Sequence, residues 1–245
     1  MTAPSPGWRL RDIGLRRGQR TIFQNLNLDL DEARIALIGH NGAGKSSLLR
    51  LLVGLDTPQQ GSLSWAGQTA HAARRTHTLG GGRLASLMFQ NPDDQIIFPT
   101  VAEELQLSWS SAHGGDRKAA RRGALQFLEQ RGLLHWADRA MGTLSQGERQ
   151  SVCWLAMLLA KPRVLLLDEP YASLDLPGQL RLEADVGRCA QQVIVSTHVL
   201  HPVRDFGRVI WLEDGRVRAD GPGLEICAAY EAQARRQFAD TAGAA

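Results

Sequence analysis

The residues most able to do chemistry lie in Gly39 to Ser47, GHNGAGKSS, which fits G-x-x-x-x-G-K-[ST] through Gly39, Gly44, Lys45 and Ser46. Glycines at this spacing let the backbone curl so that successive N–H groups converge on an anion that side chains would otherwise block. His40, Asn41, Gly42 and Ala43 complete the curl, and the helix predicted to follow adds its positive N-terminal end. In such a loop Lys45 reaches the β- and γ-phosphates, and the hydroxyl of Ser46, beside Ser47, binds Mg²⁺. Lysine is scarce here: of 28 basic residues only Lys45, Lys118 and Lys161 are lysine. Its presence in the motif is therefore not background. A glycine-rich turn matching by chance is the competing reading, and the flanking strand and helix argue against it.

A second pattern, Val164 to Pro170, reads VLLLDEP. An apolar run delivers two adjacent carboxylates to its C-terminal end, where α/β sheets place their ligands. Asp168 is the residue to hold Mg²⁺ through water, and Glu169 is the natural general base to orient or deprotonate an attacking water. Taken alone, an Asp-Glu pair at a strand end is often only solvated. Beside the glycine loop it implies a nucleoside triphosphatase.

The elements that must position these groups follow from periodicity. Leu26, Leu28 and Leu30 alternate with polar residues as in a half-buried strand, and Ile35 to Ile38 reads as a buried strand of a parallel sheet. Leu48, Leu49, Leu52 and Leu55 mark one face of a helix that Gly54 would stop. A short strand is expected at Ser62 to Trp65, within a Gly-, Ser-, Thr- and His-rich stretch from Thr57 to Gly82. Val101 to Met141 reads as helical, with SSAHGGD as an inserted loop. A helix from Ser145 to about Ala160 ends before Pro162. Strands are predicted at Val164 to Leu167, Val193 to Val195 and Val209 to Leu212, the last leading into an Asp214-Gly215 hairpin turn. Strands alternating with helices argue for an α/β fold with a parallel central sheet.

Composition sets the bounds. The chain has 245 residues, 43% of them hydrophobic and 22% charged, which excludes disordered and fibrous classes. The longest apolar stretch, Val152 to Ala160, falls well short of a membrane span. The start MTAPSPGWRLRD lacks a secretory pattern, so a cytoplasmic protein is expected. Cys153, Cys189 and Cys227 show no metal-ligand spacing and read as buried, inert thiols. A net charge of +3 permits contact with nucleic acid or anionic lipid without demanding it.

Leu144 to Gln150, LSQGERQ, narrows the class. Here the sequence resembles the ATP-binding-cassette (ABC) family, whose signature loop has this form. The family's other marks appear in order: Gln90 in MFQNPDDQ at the Q-loop, Ser173-Leu174-Asp175 at the D-loop, and His198 closing VIVSTH as the switch histidine. The resemblance spans roughly residues 8 to 220. Ser145 and Glu148 also make a capping box, so a well-started helix is the plain alternative. The resemblance implies more: Ser145, Gln146, Gly147 and Glu148 would face the nucleotide held by the opposite subunit. Each chain then carries two half-sites, and activity requires a dimer.

The resemblance assigns further roles. Gln90 would sense metal and water, His198 would hydrogen-bond the γ-phosphate or the water, and Asp175 would organise the dimer interface. It implies a P-loop NTPase core with an N-terminal antiparallel β subdomain, residues 1–89 and 162–220. An inserted Q-loop and helical subdomain occupies 90–161, and a C-terminal tail 221–245. Where the family stacks a tyrosine on adenine, this chain has Arg16-Arg17-Gly18, which makes Arg17 the candidate. Gln146 and Glu148 replace the more usual glycine and glutamine, while Ser151 and Ala156 stand where many members carry arginine.

Gln90 to Leu105, QNPDDQIIFPTVAEEL, resembles the Q-loop region of energy-coupling-factor importers for vitamins or cobalt and nickel ions. The resemblance implies ATP and Mg²⁺ as ligands and integral membrane subunits met through the Q-loop. It also implies a second ATPase subunit, identical or related, at the cytoplasmic face of the membrane. No nucleic acid is expected. Another ABC transporter, a soluble ABC ATPase acting on DNA or the ribosome, and a catalytically dead cassette remain as alternatives. A basal ATPase assay decides the last.

Overall fold

The computed structural model describes residues 7–66, 68–69, 78–79 and 82–242. They form two compact units: the chain up to Arg75 with the chain from Gln192 onward, and Thr76–Gln191. Part of the stretch from Thr57 to Gly82 lies outside the described residues.

In the first unit, β1 (Trp8–Arg17), β2 (Arg20–Leu30), β4 (Gln60–Trp65) and β5 (Gln68–Thr69) form an antiparallel sheet in the order β2-β1-β4-β5. The alternation read from Leu26, Leu28 and Leu30 holds, for all three are buried while Asn27 and Asp29 are exposed. Trp8 meets Trp65 edge-on across the sheet, with centroids 5.2 Å apart.

β3 (Arg34–Ile38) pairs in parallel with both β10 (Gln192–Ser196) and β11 (Arg208–Glu213), and β12 (Arg216–Gly221) runs antiparallel to β11. Flanked on both sides, β3 is apolar from Ile35 to Ile38, and those four residues are fully buried. Helix α1 (Lys45–Leu52) buries Leu48, Leu49, Leu51 and Leu52. Each such burial is worth about 1.5–3 kcal/mol. Leu55, expected on this face, is 52% exposed. The helix has ended by then, and Gly54 turns the chain with φ +79°. Helix α6 (Gly223–Ala242) covers β11, where Tyr230 meets Trp211 edge-on at 5.1 Å.

In the second unit, β6 (Thr78–Leu79) pairs with β7 (Gly82–Arg83), and β8 (Ala85–Met88) runs parallel to β9 (Val164–Asp168). Four helices accompany them: α2 (Val101–His113), α3 (Arg117–Glu129), α4 (Gln146–Ala160) and α5 (Leu176–Arg188). Val101, Leu105, Ala124, Leu128, Val152 and Leu155 centre the core shared by α2, α3 and α4. The loop expected over SSAHGGD shrinks to Gly114, Gly115 and Asp116. Helix α2 continues through His113, and Asp116 caps α3 by accepting the Ala119 N–H at 2.7 Å. Helix α4 ends at Lys161, left-handed at φ +48°, immediately before Pro162.

The result is the expected α/β architecture: parallel strands behind the glycine loop, an antiparallel β subdomain and a helical subdomain. Among the described residues, no helix is long and apolar enough to cross a membrane.

Candidate functional site

The glycine loop leaves β3 at Gly39, whose φ is +141° and where a Cβ would lie 2.1 Å from the Leu212 carbonyl oxygen. At Gly44, φ +110°, a Cβ would strike the Phe23 ring at 2.7 Å. Any other residue at either place would break the curl. The loop is braced from outside. The Gly215 N–H at the β11–β12 turn donates to Ala43 at 3.1 Å, so the predicted Asp-Gly turn is also a buttress. Arg20, which sequence reasoning passed over, donates to the Gly42 carbonyl at 3.0 Å.

Lys45 is buried, and its Nζ donates to the carbonyls of Gly39 at 2.7 Å and His40 at 3.2 Å. Its ammonium is thus held over the curl whose amides would receive phosphate. Ser46, one residue on, is exposed, while Ser47 is buried. His40 is exposed, with Nδ1 2.8 Å from the Asn41 carbonyl and Nε2 3.5 Å from Asp214. Arg17 lies on β1 and is ion-paired with Asp56, which also receives Arg50. These arginines hold the Asp56 carboxyl below the usual range, against the opposing push of burial.

Strand register places the remaining groups of this unit. Ser196 pairs with Leu37 in parallel, so His198 lies two residues past its strand, level with Gly39. A hydrogen bond from the Val199 N–H to Thr197 Oγ1 at 3.0 Å fixes this turn. His198 is exposed at the same strand ends as the glycine loop.

The same logic operates in the second unit. Met88 pairs with Leu167, which puts Gln90 level with Glu169 at neighbouring strand ends. Asp168 and Glu169 are 8% and 7% exposed, whereas Gln90 is exposed. Glu169 is left-handed at φ +51°. That conformation costs a non-glycine residue on the order of 1–3 kcal/mol and is found where a side chain must be aimed.

The signature segment forms the start of α4. Ser145 Oγ accepts the Glu148 N–H at 3.2 Å and Glu148 returns to the Ser145 N–H at 2.8 Å, completing the capping box. Arg139 grips Glu148 through two bonds, at 2.6 and 3.3 Å. That guanidinium, then the Ser145 amide, holds the Glu148 carboxyl well below the usual range, at about 2. Ser145 and Gln146 are exposed, Gly147 half-buried. Asp175 caps α5, accepting the Gly178 N–H at 2.9 Å.

Three further connections were not singled out from sequence. Gln150, 2% exposed, donates to the Pro170 carbonyl at 2.7 Å, tying α4 to the residue after Glu169. Arg149 reaches Asp93 of the QNPDDQ segment at 3.0 Å. Glu104, 6% exposed, accepts the N–H groups of Ile97 and Phe98, each at 2.9 Å. Glu104 did leave a signal, since it falls on the apolar face of Val101, Ala102 and Leu105 where a charge needs a purpose. Of the three cysteines, Cys153 and Cys227 are buried as expected, but Cys189 is only half-buried. Burial pushes the Cys153 thiol up to about 12.

Residues 23–172 match the ABC transporter family model. The chain belongs to the ABC transporter family. A biotin transport ATP-binding protein of Rhodobacter capsulatus is 44% identical over 222 residues, covering 89% of this chain and 93% of that protein. A nickel import ATP-binding protein of the same organism is 37% identical over 235 residues, covering 91% and 92%. Among solved structures, cbiO1 of Clostridium perfringens, part of the ABC transporter complex cbiONQ, superposes with a TM-score of 0.76. It covers 94% of each chain at 22% identity, a likeness of fold. The cassette is an ATP-binding and ATP-hydrolysing subunit of an ABC transporter, and its kinship lies with ATPases of the energy-coupling-factor type.

Proposed function

We propose that this cassette powers an energy-coupling-factor importer, hydrolysing ATP as one half of a dimer at the cytoplasmic face of the membrane, with biotin as the solute. The observation that carries the dimeric reading is the presence of two partial phosphate sites. One is the braced glycine loop with Lys45 over it; the other is the exposed start of α4 at Ser145, in the other compact unit. A helix N-terminus with a serine and a glycine at its tip suits an anion, and here the anion is the γ-phosphate held by the opposite subunit.

In this scheme the amides from His40 to Ser47 cradle the phosphates, Lys45 neutralises the γ-phosphate, and Arg17 offers its guanidinium plane to adenine. Ser46, Asp168 and Gln90 would hold Mg²⁺, which would supply positive charge to offset that of the phosphates. The donor set fits, since all three offer oxygen ligands to a hard cation. Glu169 takes the proton of the attacking water, aimed by its left-handed backbone, and His198 hydrogen-bonds the γ-phosphate. Ser145 and Gly147 of the opposite subunit complete the site, Gln146 and Glu148 set the helix start, and Asp175 lies at the dimer interface.

The Q-loop region is the surface for integral membrane subunits. Ile97 is 72% and Phe98 37% exposed, an apolar pair held out by Glu104. Biotin as solute rests on the 44% identical biotin transport relative, and nickel is the second reading, favoured by the nickel import relative. Glu169→Gln tests the mechanism: turnover should vanish while ATP-bound dimers accumulate in size-exclusion chromatography. Retained turnover removes Glu169 as the base. Uptake of labelled biotin against labelled nickel, in cells carrying this cassette with its membrane subunits, separates the two solutes.

A further inference from the structure

A cavity of ≈ 320 Å³ opens within the second compact unit, between α4, α5 and the segment after α3. Its floor is apolar: Trp154, Leu155 and Leu182 are each only 5% exposed, and Trp136 and Leu133 add a wall. Its rim is basic. Arg131, Arg181 and Arg188 all line it, against the single carboxylate of Asp185. That carboxylate is already engaged, for its Oδ2 accepts the Trp154 Nε1–H at 2.9 Å.

None of the three guanidinia forms an ion pair with a carboxylate of the described residues. Arg131 lies over the Phe127 ring, 3.7 Å from its centroid. A face contact of this kind leaves the edge N–H donors available. Burial pulls the Arg131 pKa below its ordinary value in spite of the field of Asp185. All three arginines are exposed at the rim, so their guanidinium N–H groups can reach an incoming anion through charge-assisted hydrogen bonds.

We infer that this cavity is a binding site for a small organic anion, a compact aromatic or fused-ring body carrying one carboxylate or sulfonate. The body would pack between Trp136 and Trp154, and the anionic group would take the free donors of Arg131 and Arg181. The volume lies at the lower end of the range of roughly 300–1,000 Å³ for small-molecule sites, which suits a single ring system rather than a peptide. Gln150 and Ser151 of α4 also border the cavity. Its occupant therefore touches the helix whose tip is the signature segment. This inference is independent of the identity of the solute.

The test uses the full chain saturated with Mg·ADP, so that the nucleotide site is filled. Anilinonaphthalene sulfonate and its neutral counterpart phenylnaphthylamine are titrated by fluorescence. The anion should bind saturably at one site and about tenfold more tightly than the neutral probe, the scale of a charged hydrogen bond. Arg131→Ala and Arg181→Ala should each erode that preference, and Ala184→Trp, which fills the cavity, should abolish binding of both probes. Thermal denaturation identifies any variant that fails to fold; the exposed Arg181→Ala then carries the test. Equal affinity for the two probes, or anion binding indifferent to both Arg181→Ala and Ala184→Trp in folded protein, overturns the inference.

Discussion

Gln150 donates its side-chain amide to the carbonyl oxygen of Pro170 at 2.7 Å, and its own oxygen accepts from Ser173. One buried side chain thus links α4 to the backbone that follows Asp168 and Glu169. Gln150→Leu strands the buried Pro170 carbonyl away from water, at a cost of about 1–3 kcal/mol. The expected outcome is a lower melting temperature together with a kcat for ATP that falls more than KM rises. A folded variant with wild-type kcat would show that the link is only structural.

Glu104 works in a different place. Its buried carboxylate receives two backbone N–H groups from the segment that projects Ile97 and Phe98. Glu104→Ala removes both bonds and leaves the projecting segment without its anchor. Basal ATPase of the isolated cassette should stay within about twofold, while affinity for detergent-solubilised membrane subunits falls on the order of tenfold or more. Titration by surface plasmon resonance measures the second quantity. Undiminished affinity would place the docking surface elsewhere.

The capping box makes a pH prediction. Glu148 is drawn down from 4.5 to about 2, first by Arg139 and then by the Ser145 amide. Because its folded pKa is depressed, the stabilisation it gives is complete above its unfolded value. It is lost as pH falls through the folded value, over the window between 4.5 and about 2. A carboxyl chemical-shift titration should show Glu148 protonating well below 4.5, and Arg139→Ala should raise its midpoint. A midpoint near 4.5 in the native protein would contradict the Arg139–Glu148 geometry.

Much of this was legible in the sequence because it rests on short-range rules. The glycine loop, the capping box at Ser145, the Asp214-Gly215 turn and the buried strand at Ile35 are all set by spacing within a few residues. What could not be read depends on register between distant segments. That Gln90 lies level with Glu169, and His198 level with Gly39, follows from the pairings Met88–Leu167 and Ser196–Leu37. The Gln150–Pro170 and Arg149–Asp93 contacts join segments 20 or more residues apart. Leu55 misled because period alone does not reveal that the helix stops at Leu52. The ion pair of Arg17 with Asp56 likewise joins residues far apart in sequence.

ATP turnover per cassette as a function of protein concentration is the most direct measurement of all. If the glycine loop of one subunit is completed by Ser145 and Gly147 of another, specific activity must rise with concentration from near zero to a plateau. Catalytically silent Lys45→Ala and Ser145→Arg chains, inactive apart, must also regain turnover when mixed. A specific activity constant down to the most dilute sample, with no gain on mixing, would contradict a site shared between two chains.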